Sequence, residues 1–151
     1  GSININSSNM FRNPNNYTQS NQYNGIFIDH PGEYCIIEGD ITWSESEFGV
    51  AFVSLHHGIN AQGETNILTL AEDVILKFDG GVLEYEGDNL FNYDAAGVWF
   101  TSYHDDEHGD DTNGNGTATI PDDGDWQGIR NWGTSPETWE AWVNILYDDI
   151  H

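Results

Sequence analysis

Short runs in which apolar and polar residues alternate dominate the chain after residue 25. Residues 74–78 (VILKF) and 82–86 (VLEYE) show the alternation clearly. It places successive side chains on opposite faces of a strand. Gly, Asp and Asn separate the runs and favour turns between them. The pattern predicts eight strands, at residues 26–29, 34–43, 50–55, 66–71, 74–87, 97–103, 126–132 and 142–150.

Many short strands with turn signals between them predict an all-β fold. The tripeptide Glu-Gly-Asp occurs at residues 38–40 and again at 86–88. Two coils of a parallel β-helix, each of roughly 20–25 residues, would give this separation. We therefore expect a parallel β-helix segment of about five coils over residues 26–151, with a β-sandwich as the alternative. Only SPETWEAW, residues 135–142, allows a short helix.

The first 25 residues differ in composition from the rest. They contain eight Asn and no Asp or Glu, so all 26 acidic residues lie in residues 26–151. This composition is typical of a polar linker or of an irregular N-terminal cap.

The formal net charge of −23 narrows the range of partners. Nucleic acid and anionic membranes would be repelled, whereas a salt-rich medium or bound cations would suit such a chain. No apolar run approaches 18 residues, so we expect no membrane insertion. Cys35 is the single cysteine, which excludes an internal disulfide and leaves the compartment open. The acidic composition, rich in Asn, Gly, Thr and Trp, favours an extracytoplasmic location.

Eight carboxylates lie between Asp105 and Asp125, uninterrupted by Lys or Arg. Part of this segment has the ligand spacing of a twelve-residue Ca²⁺ loop, with Gly116 at the sharp turn. Asp105 and Asp106 would add oxygens from outside the loop, and hard oxygen ligands favour Ca²⁺ over zinc or copper. A solvated loop without metal is the alternative. The spacing assigns positions 1, 3, 5, 7 and 12 to Asp111, Asn113, Asn115, Thr117 and Asp122.

Carbohydrate binding is a second hypothesis, because solvent-facing Trp rings often stack on sugars. Trp126 and Trp132 are the candidate ring platforms. An enzyme is not expected. No nucleophile motif of the G-x-S-x-G type occurs, and three basic residues are few for handling an anionic sugar. A fragment of a polysaccharide lyase or hydrolase stays open as a further alternative, because carboxylates are too abundant for a catalytic pair to be singled out.

Two phrases, ILTLAEDVILKFDGG at residues 67–81 and FTSYHDDEHGDDTNGNGTATIPDDGDWQGI at residues 100–129, carry a family resemblance. The chain resembles bacterial cell-surface proteins with right-handed parallel β-helix repeats, which are pectin-lyase-like in fold. The resemblance covers roughly residues 66–129. It departs at Asp110, where the family usually has Gly, and at Asn115, where it usually has Asp. It implies a solenoid in a large secreted or surface-anchored protein and implies no activity.

Together these features predict an extracytoplasmic structural or adhesive module with a Ca²⁺-stabilised acidic loop. Its partners would be carbohydrate or other surface proteins. The chain stops at WVNILYDDIH, which reads as an uncapped strand, so we also expect either a fragment of a longer solenoid or a homodimer formed through this end. Trp139, Trp142, Ile145 and Leu146 would carry the contact between the two copies.

Overall fold

The computed structural model describes residues 25–28, 34–44 and 51–150. These residues form eleven strands and no helix, so the all-β prediction is confirmed. The predicted linker or cap lies almost wholly outside the described residues. The strands are β1 Gly25–Phe27, β2 Cys35–Ile36, β3 Asp40–Trp43, β4 Ala51–Leu55, β5 Gly58–Ala61, β6 Ile67–Leu70, β7 Ile75–Tyr85, β8 Leu90–Phe91, β9 Trp99–Ser102, β10 Trp126–Asn131 and β11 Thr138–Trp139.

Neighbouring strands within the described part of the chain pair in parallel, except β10 with β11. Along the first group of paired strands, β1, β4, β7 and β9, each strand pairs with the next. A second group joins β2, β5, the end of β7 and β10, and a third joins β3, β6 and β8. From β1 to β10, consecutive strands in sequence therefore belong to different groups.

The register of the pairs is nearly constant from β1 to β9. In the first group Gly25 pairs with Ala51 and Ile75 pairs with Trp99, offsets of 26 and 24 residues. In the second group Cys35 pairs with Ile59, an offset of 24, whereas Gly80 pairs with Trp126, an offset of 46, because the acidic segment lies between β9 and β10. The third group has offsets of 27 and 22, from Asp40↔Ile67 and Leu68↔Leu90. Equivalent positions thus recur about every 24 residues as far as β9, and the pairing of β7 with β10 departs from this period.

The core consists of side chains in register on the inward faces of the three groups. Phe52, Leu76 and Phe100 are consecutive partners in the first group, and each is at most 1% exposed. Ile145 extends this row through an isolated parallel bridge to Phe100. Burying such a side chain contributes about 1.5–3 kcal/mol.

Four details of the strand prediction are wrong. The predicted strand at residues 34–43 is broken at Gly39, whose φ of 78° is incompatible with a continuous strand. The strands β5 and β8 were not predicted because their sequences, GINA and LF, are too short to show alternation. Residues 135–142 form no helix and instead contain β11. Residues 142–150 form only isolated bridges, at Ile145 and Asp148.

Candidate functional site

The acidic segment folds back over the outer face of the first strand group. Alternation along β4, β7 and β9 points Val53, Lys77 and Thr101 outward, in register with one another, yet all three are fully buried. The segment that follows β9 covers them. A Cβ added to Gly109 would lie 3.1 Å from the Cβ of Ala51, so the backbone lies almost directly on the sheet there.

Lys77 supplies the positive charge beneath this segment. Its Nζ donates hydrogen bonds to the main-chain oxygens of Asp105, at 2.6 Å, and Asp110, at 2.7 Å. Burial lowers the pKa of Lys77 to about 8, although the surrounding carboxylates of the segment oppose this shift. Lys77 therefore lies at the centre of the acidic segment, where its ammonium group partly offsets the repulsion between carboxylates.

Asp105 is a structural anchor of the segment. Its side chain is 1% exposed, and its Oδ2 accepts hydrogen bonds from Thr101 Oγ1, at 2.6 Å, and from His108 Nδ1, at 2.8 Å. Its Oδ1 accepts the backbone N–H of Glu107, at 2.9 Å. Burial alone would raise the pKa of Asp105, but these hydrogen bonds together hold it below the usual value. We therefore leave Asp105 out of the candidate metal ligands.

Asp106 has one oxygen without a partner. Its Oδ1 is buried and accepts no hydrogen bond. Burial raises the pKa of Asp106, and the nearby carboxylate of Asp111 raises it further, while Lys77 acts in the opposite direction. A buried carboxylate oxygen close to a second carboxylate is costly unless a proton or a cation lies between them.

The predicted Ca²⁺ turn is partly assembled. Asp111 accepts the backbone N–H groups of Asn115, at 3.1 Å, and Gly116, at 2.8 Å. The amide groups of Asn113 and Asn115 both donate to Thr119 Oγ1. These contacts hold the turn together, and metal binding by its side chains stays a prediction. The exposed Thr117 and the partly buried Thr119 line a cavity of about 330 Å³ that is also bordered by Asp106.

The hydrogen bonds of Asp122 do not connect it to Asp111 or to the turn that Asp111 organises. It forms a separate turn with Asp123 and Asp125, in which its Oδ1 accepts the N–H of Asp123 and its own N–H donates to Asp125. Among the described residues, no three His, Cys, Asp or Glu side chains converge as a metal-ligand group. A metal here would therefore need amide, hydroxyl and main-chain oxygens as well as carboxylates.

One departure from the resembling phrase has a local explanation. Asp110 has a φ of 61°, in the left-handed region that favours glycine and that Asp tolerates better than most residues. Glycine is the residue that the resembling phrase carries at this position.

Ser102, His104 and Asp125 come together but not as a catalytic triad. The Ser102 hydroxyl donates directly to Asp125 Oδ2, and His104 Nδ1 lies 3.4 Å from the same oxygen. His104 also donates its backbone N–H to Ser102 Oγ. In a triad the serine hydroxyl donates to the histidine, which takes its proton. This arrangement instead fixes the turn after β9 to the start of β10.

Of the two tryptophans predicted as sugar platforms, Trp126 is buried, whereas Trp132 is exposed and stays a candidate. Trp126 is 1% exposed and stacks on Phe78 with ring centroids 4.4 Å apart, so the prediction of an exposed platform there is wrong. Trp132 is 43% exposed, and its ring lies against the Arg130 guanidinium at 4.6 Å. Arg130 also contacts Trp139, at 5.2 Å, and pairs with Glu84.

The C-terminal residues expected to contact a second copy are partly occupied within the chain. Ile145 is 4% exposed, and Trp142 stacks on Tyr93 with ring centroids 3.9 Å apart. Val143, at 94% exposure, is the most accessible apolar side chain nearby. Self-association through this end stays a prediction.

Sequence reasoning missed Lys77, Thr101 and His108 as parts of the site. The sequence did contain one signal for Lys77. The alternation in VILKF places this lysine on the face opposite the core residues, and no other basic residue lies close to it in sequence. Nothing in the sequence shows that a segment about 28 residues later covers it.

No family model matches the chain, and it is similar neither to a curated protein nor to a solved structure at a meaningful level. Within the described residues, no helix is long and apolar enough to cross a membrane.

Proposed function

We propose that the chain is a structural or adhesive module of an extracellular or cell-surface protein, built from stacked coils of a right-handed parallel β-helix. The observation that carries the proposal is the recurrence of parallel partners about every 24 residues, as far as β9, in three strand groups, two of which share β7. A coil that adds one strand to each of three sheets and then repeats has this register. The right hand follows from the strong preference of parallel crossover connections.

Engineered disulfides test the coil geometry. Thr42 and Thr69 are direct partners on neighbouring parallel strands, and Phe91 is the partner of Thr69 one strand further on. Neighbouring strands lie about 4.8 Å apart, within reach of a disulfide, whereas two spacings are beyond it. In a Cys35→Ala background, Thr42→Cys with Thr69→Cys should cross-link on oxidation. Thr42→Cys with Phe91→Cys is the matched control. Equal cross-linking of both pairs, or of neither, would contradict the proposed coils.

The acidic segment fits Ca²⁺ as a stabilising ion within this proposal. The buried, unpartnered Oδ1 of Asp106 and the nearby Asp111 carboxylate supply the charge. The side-chain oxygens of Asn113 and Asn115 and the main-chain oxygen of Thr117 would complete a hard-oxygen site. Bound Ca²⁺ would neutralise the repulsion between the two carboxylates and stiffen the turn. The proposal assigns no catalysis to these residues.

Thermal unfolding with and without metal tests the Ca²⁺ site. At a free concentration of about 100 times Kd, Ca²⁺ should stabilise the wild type by about 2.7 kcal/mol relative to EDTA. Asp111→Asn should remove most of this increment. Asp88→Asn, which removes the same charge from an exposed turn, should retain it. Identical melting of the wild type in Ca²⁺ and EDTA would refute the metal site and leave the coil proposal intact.

A further inference from the structure

The acidic segment has two parts that are held in different ways. The near arm, residues 105–112, contacts the sheet, whereas the far turn, residues 113–119, is bonded mainly to itself. Thr112, in the near arm, is fully buried, and its Cγ2 lies 2.8 Å from the position of a Cβ added to Gly25. Residues 115–118, in the far turn, are exposed.

The near arm is fixed by Lys77 and Thr101 from the sheet below. Lys77 Nζ donates to the main-chain oxygens near both ends of the arm, those of Asp105 and Asp110. Thr101 Oγ1 donates to the Asp105 carboxylate, whose other oxygen accepts the N–H groups of Glu107 and His108. Every one of these interactions is made by the protein itself, so none of them needs a metal.

The far turn depends on the Asp111 carboxylate. Asp111 accepts the N–H groups of Asn115 and Gly116, and Asn115 Oδ1 accepts the N–H of Ala118. Asp111 lies beside Asp106, so the acceptor that organises the far turn is also subject to repulsion. A cation between these two carboxylates would relieve that repulsion and hold the far turn in place.

We propose that Lys77 is a built-in counter-ion that holds the near arm on the sheet in the absence of metal, so that removal of Ca²⁺ loosens only the far turn. This rests on the Ca²⁺ site proposed above. An acidic segment with one built-in and one exchangeable cation would stay attached to the module near neutral pH, with or without Ca²⁺. Its exposed turn would become ordered only where Ca²⁺ is available.

Hydrogen exchange resolved to these two segments tests the proposal. In wild type, replacing Ca²⁺ by EDTA should speed exchange in residues 113–119 by about tenfold or more and leave residues 106–110 unchanged. In Lys77→Met, EDTA should speed exchange in both segments. Arg130→Met removes a positive charge from a different outer face, where Arg130 pairs with Glu84, and should behave as wild type in the acidic segment.

The outcomes separate the two proposals. Simultaneous loosening of both segments in wild-type protein on EDTA addition would overturn the role of Lys77, and this measurement does not depend on the folding of any variant. Protection of residues 106–110 in Lys77→Met in EDTA would overturn it as well. If EDTA changes nothing in wild type while Lys77→Met exposes the near arm in either buffer, the Ca²⁺ site fails and Lys77 alone holds the segment.

Discussion

Replacing Lys77 by Met tests how a buried ammonium group contributes to the stability of this fold. Met keeps most of the side-chain volume and removes the charge and the three donors. The main-chain oxygens of Asp105 and Asp110 would lose their donor, and each buried unsatisfied acceptor costs about 1–3 kcal/mol. The substitution also removes the cost of burying the charged amine.

The size of that cost follows from the lowered pKa. A change from 10.5 to about 8 corresponds to about 3 kcal/mol, since one pKa unit is about 1.36 kcal/mol. The loss of about 2–6 kcal/mol and the relief of about 3 kcal/mol largely offset each other at pH 7. We therefore expect a net change at that pH between about 1 kcal/mol of stabilisation and about 3 kcal/mol of destabilisation, which on its own is a weak test.

The pH dependence is the decisive measurement. Between pH 8 and 10.5 the unfolded chain keeps the Lys77 proton and the folded protein has released it, so the free energy of unfolding rises with pH. The rise due to Lys77 should total about 3 kcal/mol and should be missing in Lys77→Met.

Urea unfolding of both proteins in EDTA, at intervals from pH 7.5 to 10.5, measures this difference. Subtracting the two profiles cancels titrations common to both, including those of Tyr85 and Tyr147, whose pKa values are raised mainly by burial. A stability difference between the two proteins that stays constant over this range would refute the reasoning, because it would mean that Lys77 stays protonated in the fold.

Three further outcomes are expected from the packing and the charge. Trp126→Ala should destabilise the protein by about 3–5 kcal/mol in urea unfolding, since it removes a fully buried ring stacked on Phe78. Gly58→Ala should lower the melting temperature far more than Gly87→Ala, although φ is positive at both positions. A Cβ at Gly58 would lie 1.9 Å from the Val82 carbonyl oxygen, whereas one at Gly87 meets nothing within 4 Å. Similar melting temperatures of the two variants would contradict this. Stability in EDTA should rise from low NaCl to about 0.5 M, because salt screens the repulsion of a chain with net charge −23, and a flat profile would contradict that account.

The strands that the sequence predicts well are those whose alternation is long enough to be seen. β7 is eleven residues long and has both VILKF and VLEYE, so its position follows from local pattern. The strand β8 has two residues, and it exists because Leu68 and Thr69 offer partners for Leu90 and Phe91. A strand that forms because of its neighbours in space has little strand signal in its own sequence.

The candidate site also has some features that depend on local sequence and others that depend on long-range packing. The turn at Asp111 to Thr119 was predictable because its hydrogen bonds join residues two to six positions apart. The sequence could not show that Thr101, His108 and the loop backbone use the oxygens of Asp105, because that depends on how the segment packs against β9. Composition could not separate a carboxylate buried among donors from one exposed to solvent.

The position of Lys77 explains physically how so many acidic residues can lie between positions 105 and 125. The net charge alone does not show this. Repulsion within the segment is opposed by one ammonium group 28 residues away in sequence, which is fully buried and bonded to the backbone of the segment rather than to its carboxylates. Because Lys77 donates to main-chain oxygens, it fixes the path of the segment while leaving the carboxylates of Asp106 and Asp111 available to a second cation. Had Lys77 formed ion pairs with those side chains, the same charges would be neutralised, and the proposed Ca²⁺ site would lose the charge that favours a cation.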